Sequence, residues 1–298
     1  MIRGSLMLTH HAVEPVNPSR VVILGGRGFV GKRLAEHLAG ECVLVRSIGR
    51  DAIDLAAHGC QEKLLEELQP NDAVVILAAL TPDKGRGVPA FLANLKMGAS
   101  VHAALERRRV AHVVYVSSDA VYPFRTALID EASYAEPTDL YGAMHLAREI
   151  MFRQATEMPV AILRPTLIYG AGDTHNSYGP NRLRRMARKD GRIVLFGAGE
   201  ETRDHIYIDD AVALIALVIR HRSSGILNLA TGHSVSFAEL AEMVAREFPT
   251  PIEITGTPRQ NAISHRAFDV TAIHRVFPKF VFTPLDKGLA QAHREEMA

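Results

Sequence analysis

The stretch that decides the fold is VVILGGRGFVG, residues 21–31. Its first four residues are a short apolar run typical of a buried strand, and residues 32–39 continue with helical periodicity. Between them, Gly25, Gly28 and Gly31 recur at every third position. In a strand-turn-helix unit, such glycines allow a tight turn, close approach of backbone N–H groups to a pyrophosphate, and packing of the helix on the strand. The pattern therefore predicts dinucleotide binding, with Phe29 and Val30 also at the cofactor.

Further strand-like runs alternate with helical stretches along the first half of the chain. Together with the first run they are Val21–Leu24, Cys42–Val45, Ala73–Leu77, His112–Ser117 and Val160–Arg164. This alternation predicts an α/β protein with a doubly wound parallel sheet of the Rossmann type, because parallel strands need crossover connections. After Arg164 the alternation of strand-like and helical stretches becomes less regular. We predict a mobile arm over 1–19, a dinucleotide-binding domain over 20–168 to which later segments return, and a smaller α/β substrate lobe over 169–298.

Composition excludes several classes of function. The chain has 298 residues, 47% of them hydrophobic, and a formal net charge of +1. It carries no global field for nucleic acid or an anionic membrane, so we expect neither as a partner. The basic run over 182–189 has no interleaved aromatic residues, which favours a solvated helix face. Two cysteines and scattered histidines indicate a reducing, cytoplasmic protein without a metal site.

The end of the second predicted strand bears on the choice of cofactor. In NAD-binding proteins of this fold, an acidic residue at the end of this strand hydrogen-bonds the ribose 2′-hydroxyl. Here the predicted strand is followed by Arg46 and Ser47, with Arg50 beyond. Two guanidinium groups and a hydroxyl suit a 2′-phosphate, so the sequence favours NADP. NAD remains open if both arginines are only solvated charges. Asp54, followed by Leu55, is spaced to accept a hydrogen bond from the adenine amino group, although a surface aspartate fits that position nearly as well.

Motifs along the chain resemble the extended short-chain dehydrogenase/reductases, and most closely their sugar-nucleotide epimerase/dehydratase branch. The matching segments are the glycine triplet, Leu77-Ala78-Ala79, Asn94, residues 115–122, 137–141, 163–165, 168–170, 195–197, 203–210 and 282–289. They occur in order over about residues 20–290.

The resemblance implies a Rossmann domain carrying NAD(P), a lobe holding a nucleotide-diphosphate sugar, and hydride transfer at a sugar carbon. It places Ala78 and Ala79 at the cofactor, Tyr141 as the residue that moves the hydroxyl proton, and Ser118 as a hydrogen-bond donor to the same oxygen. It also implies a homodimer. Epimerisation, dehydration and reduction of a keto sugar all remain open at this point.

The chain departs from the family at the partner of Tyr141. The family has lysine four residues later, and this chain has His145. Residues i and i+4 share a helix face, so His145 should still point toward the cofactor. It could replace the lysine as a cation, it could serve a reaction such as keto-sugar reduction in which the tyrosine acts as acid, or the protein could be a non-catalytic binder. We expect Arg148 to point away from this face.

The resemblance also marks the substrate side. It places Arg203 and Arg259 at the diphosphate, where guanidinium groups fit phosphate oxygens bidentately. Many members have asparagine three residues before Gly170, but this chain has Leu167. In the donor-rich loop over 172–182, Asn176 or Asn181 could replace that contact, unless the loop is simply solvated.

Overall fold

The computed structural model describes residues 7–154, 157–174, 176, 179–260 and 262–297. The strands are β1 (Arg20–Leu24), β2 (Val45–Ile48), β3 (Asp72–Ile76), β4 (His112–Val116), β5 (Val160–Pro165), β6 (Leu167–Tyr169), β7 (Arg192–Phe196), β8 (Thr202–Tyr207), β9 (Gly225–Leu229), β10 (Ser234–Ser236) and β11 (Glu253–Thr257). The helices are α1 (Phe29–Gly40), α2 (Cys60–Glu67), α3 (Val88–Arg107), α4 (Leu140–Arg153), α5 (Pro180–Asp190), α6 (Ile208–Arg220), α7 (Phe237–Arg246), α8 (Thr271–Val276) and α9 (Leu285–Met297).

The main sheet is parallel and has helices on both faces. Its strand order is β2-β1-β3-β4-β5-β9. β3 and β4 are buried along their whole length, as expected for strands covered on both sides. Helices α1 and α6 pack on one face, while α2, α3 and the end of α4 pack on the other. This confirms the predicted doubly wound Rossmann sheet.

A smaller lobe follows the first five strands of the main sheet. It contains the three-stranded sheet β10-β8-β6 and the two-stranded sheet β11-β7. β9 pairs with β5 in parallel, so the chain returns to the main sheet after building part of the lobe. Among the described residues, no helix is both long and apolar enough to cross a membrane.

The N-terminal segment is attached to the body of the protein. The backbone N–H of Leu8 donates to Ile226 O at 3.0 Å, and that of Val16 donates to Arg220 O at 3.0 Å. His10 stacks on His221 with ring centroids 4.2 Å apart. The expectation of a mobile arm is therefore wrong for residues 7–16: Met7 and Thr9 form bridges beside β9, and the residues after them bond to Arg220 and His221 at the end of α6.

β2 is shifted along the sequence relative to its prediction. Residues 41–43 form a turn after α1, in which the N–H groups of Glu41 and Val43 donate to Leu38 O at 3.1 and 3.0 Å. Pairing with β1 begins only at Val45, opposite Val21. The strand therefore ends at Ile48. Arg46 and Ser47, which were expected to follow the strand, lie within it.

Candidate active site

One large cleft opens at the carboxyl ends of β1, β3, β4 and β5. Its volume is about 1440 Å³, larger than the ~300–1,000 Å³ of a typical single-ligand pocket. Its described lining has six cationic and four acidic side chains, the cations being Arg27, Arg50, Lys84, Arg86, Arg203 and Arg266. The cleft therefore supplies locally the positive charge that the whole chain lacks, and it has room for two ligands side by side.

The glycine turn forms one wall of this cleft. Gly25 has φ of +93°, and a Cβ there would lie 2.7 Å from the backbone N of Ala78. A Cβ on Gly31 would lie 2.8 Å from the Cα of Gly26, so this position also requires glycine. α1 begins with no side-chain cap and no acidic residue in its first turn. Gly28, Phe29 and Val30 face the cleft. The free N–H groups and the helix dipole form a cradle for an anion such as a pyrophosphate.

Arg46 does not face the cleft, which corrects the expectation for its role. Arg46 Nε donates to Glu67 Oε2 at 2.8 Å, and the side chain is absent from the cleft lining. Ser47 packs against Gly26, where a Cβ would lie 2.6 Å from the serine Cβ. Both residues lie inside β2 because the strand ends at Ile48. Arg50 does line the cleft, and its Nε lies 3.1 Å from Asp54 Oδ2.

Arg27 is a cation near the glycine turn that sequence reasoning missed. It lies between two glycines of the turn, lines the cleft and pairs with Asp51 at 2.7 Å. Its side chain extends over Gly49, where a Cβ would lie 2.8 Å from Arg27 Cδ. The end of β2 is thus flanked by Arg27 and Arg50. The signal was present in the sequence as an arginine inside the glycine triplet.

The residues after β2 and β3 complete the wall. Asp54 accepts from the Ala56 N–H at 3.0 Å, and this bond lowers the pKa of its carboxyl. Leu55 is buried and, like Asp54, lines the cleft. Ala78 and Ala79 follow β3 and line the cleft as well.

Ser118, Tyr141 and His145 all open on the same cleft. Ser118 follows β4, and its Oγ accepts from the Ala120 N–H at 3.1 Å. Tyr141 lies in the first turn of α4, which is capped by Asp139 accepting from the Gly142 N–H at 2.8 Å. The end of a parallel strand and the N-terminus of one helix thus place on one cleft two hydroxyl-bearing residues that are 23 positions apart in the sequence.

His145 is buried and neutral. Its side chain is 2% exposed, and its ring meets the Tyr141 ring edge-on with centroids 4.6 Å apart. Burial, and secondarily the charge of Arg148, lower the pKa of His145 to about 3. A cationic histidine in place of the lysine does not fit these surroundings. A neutral imidazole supplies no charge to stabilise a phenolate at Tyr141.

Arg148 points inward, contrary to expectation. It is fully buried between α3 and α4, with its guanidinium carbon 5.0 Å from the centroid of the Tyr115 ring. Nη1 donates to Ala78 O at 3.0 Å. The room for it comes from Gly98 on α3, where a Cβ would lie 2.9 Å from Arg148 Cγ. One sequence position on a neighbouring helix therefore decides where this cation lies.

Two arginines line the cleft next to Phe124. Arg203 and Arg266 both line it, and their guanidinium carbons lie 5.5 and 4.2 Å from the centroid of the Phe124 ring. Arg266 is held by Asp119, whose Oδ2 accepts from Nη1 at 2.7 Å. Sequence reasoning missed Arg266 because it comes 147 positions after its partner. Arg266 is 3% exposed and its charge is balanced by Asp119, whereas Arg203 is partly exposed.

Of the other three residues expected to contact the substrate, Arg259 and Asn176 lie outside the cleft and Asn181 lines it. Arg259 is held by Glu200 and Glu201 and does not line the cleft. Asn176 is exposed outside the cleft, and its Oδ1 accepts from Arg185 at 3.1 Å. Asn181 does line the cleft, but its Nδ2 donates to Asp173 at 2.6 Å and its Oδ1 accepts from Arg184 at 3.2 Å. Three members of the same loop, His175, Ser177 and Tyr178, lie outside the described residues.

The fold is a parallel doubly wound sheet with a glycine turn at its carboxyl edge, and Ser118 and Tyr141 open on the same cleft as that turn. These features define a dinucleotide-binding protein of the extended short-chain dehydrogenase/reductase type. The family model "NAD dependent epimerase/dehydratase family" matches residues 21–230. The chain belongs to this family. The described residues contain no cluster of side chains able to hold a metal ion.

Similar proteins act on or bind nucleotide sugars. The chain is 27% identical to dTDP-L-rhamnose 4-epimerase of Burkholderia thailandensis, over 86% of this chain and 89% of that protein. It is 27% identical to GDP-L-fucose synthase of Sinorhizobium fredii, over 92% and 94%. The structure of MoeE5 in complex with UDP-glucose and NAD superposes with a TM-score of 0.75 at 25% identity, over 94% of this chain and all of that one. These names contain three different nucleotides.

Proposed function

We propose that the protein is an NADP(H)-dependent oxidoreductase that reduces a keto sugar carried on a nucleoside diphosphate, with Tyr141 as proton donor. The observation that carries this proposal is a Ser/Tyr pair opening on the same cleft as the glycine turn, beside a buried histidine that stays neutral. Of the three reactions open to the family, reduction makes the smallest demand on a neutral partner, because the tyrosine then donates a proton that it already holds.

The residues that would hold the cofactor fit a dinucleotide. The turn has no room for a side chain at Gly25 or Gly31, so its backbone can approach a ligand closely. The uncapped N-terminus of α1 presents free N–H groups, as a pyrophosphate requires. Arg27 and Arg50 flank the end of β2 and would meet a 2′-phosphate, which supports NADP over NAD. Their pairs with Asp51 and Asp54 are exposed, so exchanging these carboxylates for a phosphate costs little.

The nucleotide sugar would lie at the opposite end of the cleft. Arg203, which lines the cleft beside the Phe124 ring, would contact the diphosphate, while Arg266 is buried and paired with Asp119. Leu167, which lines the cleft, makes the wall apolar where many relatives are polar. Because the relatives carry dTDP, GDP and UDP, the class of substrate is proposed without a particular base.

When bound, the reduced nicotinamide supplies the hydride to the carbonyl carbon. Tyr141 supplies the proton that the carbonyl oxygen needs, so that a secondary alcohol forms. Ser118 donates a hydrogen bond to that same oxygen; among the described residues its hydroxyl donates only to Asp119 Oδ1, over a long distance of 3.4 Å. Asp119, the carboxylate next to Ser118, is paired with Arg266, which makes it a poor acid for a dehydration.

A homodimer would form through α3 and α4. These helices pack on one another and leave Leu92 and Ile150, 56% and 52% exposed, on their outer surface. Pairing with a second copy would cover these apolar side chains. Ile150→Glu is then expected to give a monomer in light-scattering measurements, while wild type gives a dimer.

The proposal is tested by calorimetric titration with NADP⁺ and NAD⁺, followed by UDP-, GDP-, CDP- and dTDP-sugars. Nicotinamide absorbance is monitored with every ligand that binds. Tighter binding of NADP⁺ and an absorbance change with a sugar nucleotide support the oxidoreductase. Binding of both ligands with no absorbance change in either direction, including NADPH with keto sugars, would overturn it in favour of a non-catalytic binding protein.

A further inference from the structure

His145 has one ring nitrogen engaged and one without a partner. Its Nδ1 lies 2.7 Å from the Tyr115 Oη. Its Nε2 is buried and makes no hydrogen bond with the part of the chain that the structure describes. The ring lines the cleft. An unpartnered polar atom in a buried ring is costly unless a ligand completes its hydrogen bond.

Tyr115 decides which nitrogen carries the proton. Its side chain is 1% exposed, and burial raises the pKa of its phenol, so the O–H is retained. If Nδ1–H donated to the phenol oxygen, the phenol O–H would be left buried without an acceptor, since within the described chain its oxygen bonds only to His145. Donation from Tyr115 to Nδ1 satisfies both groups. That arrangement leaves the imidazole proton on Nε2.

Burial first, and then the charge of Arg148, keep a second proton off the ring by lowering the pKa of His145. Its guanidinium lies on the face of the Tyr115 ring and is fully buried. The adjacent carboxylate, Glu149, is already bound by Arg164 at 2.6 Å and by the Ser117 hydroxyl at 2.6 Å. In the described structure, Arg148 therefore has a carbonyl oxygen, a thioether and two aromatic rings as partners, but no anion. Its uncompensated charge disfavours an imidazolium next to it.

We propose that Tyr115 and Arg148 are positioning residues that fix His145 as a neutral imidazole with its proton on Nε2, presenting a hydrogen-bond donor to the cleft. Given the proposed function, this donor would take the ribose hydroxyl of the cofactor, a contact otherwise expected of the lysine. Tyr115, Arg148 and His145 together thus supply a neutral imidazole donor where the family has a charged lysine. Arg148 itself does not line the cleft; its Nη1 donates to the carbonyl oxygen of Ala78, a residue that does.

The tautomer is measured directly by long-range ¹H–¹⁵N spectra of the full-length protein labelled with ¹⁵N-histidine. His145 is assigned by the signals lost in His145→Gln. The expected result without any ligand is a protonated Nε2 and an unprotonated Nδ1, unchanged from pH 8 to pH 5.5. A proton on Nδ1, or an imidazolium within that range, would overturn the proposal.

Variants separate positioning from general packing. Tyr115→Phe removes the donor to Nδ1 and should yield a mixture of tautomers, whereas Tyr169→Phe, a matched loss of a buried hydroxyl outside the cleft, should not. Arg148→Met should allow His145 to protonate at higher pH, and Arg148→Lys should restore the wild-type behaviour. An unchanged His145 spectrum in Tyr115→Phe would refute the assignment to Tyr115.

NADP⁺ titration tests the link to the cofactor separately. Bound NADP⁺ should shift the Nε2–H signal, and Tyr115→Phe should bind it about fivefold more weakly, the usual cost of a misdirected hydrogen bond. Binding that leaves the Nε2–H signal unmoved would overturn the ligand role of His145. Failure of NADP⁺ to bind at all would instead defeat the proposed function, while the tautomer measured without ligand would still stand.

Discussion

Placing lysine at position 145 should destabilise the protein rather than restore a more usual site. Arg148 follows at i+3, where side chains on a helix are neighbours about 5–6 Å apart. At about 6 Å and an effective dielectric constant of about 20, two positive charges repel by about 3 kcal/mol. If the lysine instead lost its proton in the folded state, the cost would be about 5 kcal/mol at pH 7. The loss of stability caused by the lysine charge therefore cannot exceed about 5 kcal/mol. His145→Lys should therefore lower the free energy of unfolding by about 3–5 kcal/mol.

Urea denaturation at several pH values measures this effect. A lysine whose pKa is depressed in the folded state binds fewer protons there than in the unfolded state, so the loss should shrink as pH rises from 7 to 10. His145→Gln carries no charge and should show no such pH dependence. In the double variant with Arg148→Met, the repulsion is absent, and the two substitutions should couple favourably by about 2–3 kcal/mol. Additive free energies would refute the inference that Arg148 excludes a second cation here.

Three further predictions follow from the same structure. Arg27→Ala should weaken NADP⁺ binding about tenfold with little effect on NAD⁺, whereas Arg46→Ala should change neither; equal calorimetric effects on both cofactors would contradict this. Arg203→Ala should weaken sugar-nucleotide binding about tenfold or more, and Arg259→Ala should leave it unchanged; the reverse order would place the diphosphate elsewhere. Buried neutral histidines with folded-state pKa values of about 4, 3 and 3 bind protons only on unfolding, so stability should fall as pH drops below about 6.5, by about 2 kcal/mol per histidine at pH 5. Denaturation curves that do not move between pH 7 and pH 5 would contradict the burial of this set, His112, His145 and His205.

Local patterns predicted the parts of the fold and site that depend on neighbours in sequence. The glycine turn, the strand before it and the helix after it lie within 20 residues, and each constrains the next. Ser118 and Tyr141 were placed differently, by the resemblance of residues 115–122 and 137–141 to the family's motifs. The structure brings both of them to the cleft.

Predictions failed where a small local shift or a distant residue decides the outcome. A turn at residues 41–43 moves β2 by three positions, and Arg46 moves from the end of the strand to its interior. The inward course of Arg148 depends on Gly98 of another helix, and Arg266 reaches the cleft only through the packing of the C-terminal segment on Asp119. Neither the contact of Gly98 with Arg148 nor that of Asp119 with Arg266 produces a pattern in the sequence from which it could be predicted.

The account depends most directly on Tyr141 protonating a sugar oxygen while His145 stays neutral. The decisive measurement is nicotinamide absorbance when NADPH and the protein are mixed with keto sugars of each nucleoside diphosphate, in wild type and in Tyr141→Phe. The account predicts loss of NADPH absorbance with at least one of them, and a rate at least about 100-fold lower in the variant. An equal rate in both proteins, or no loss with any keto sugar although NADPH binds, would contradict it.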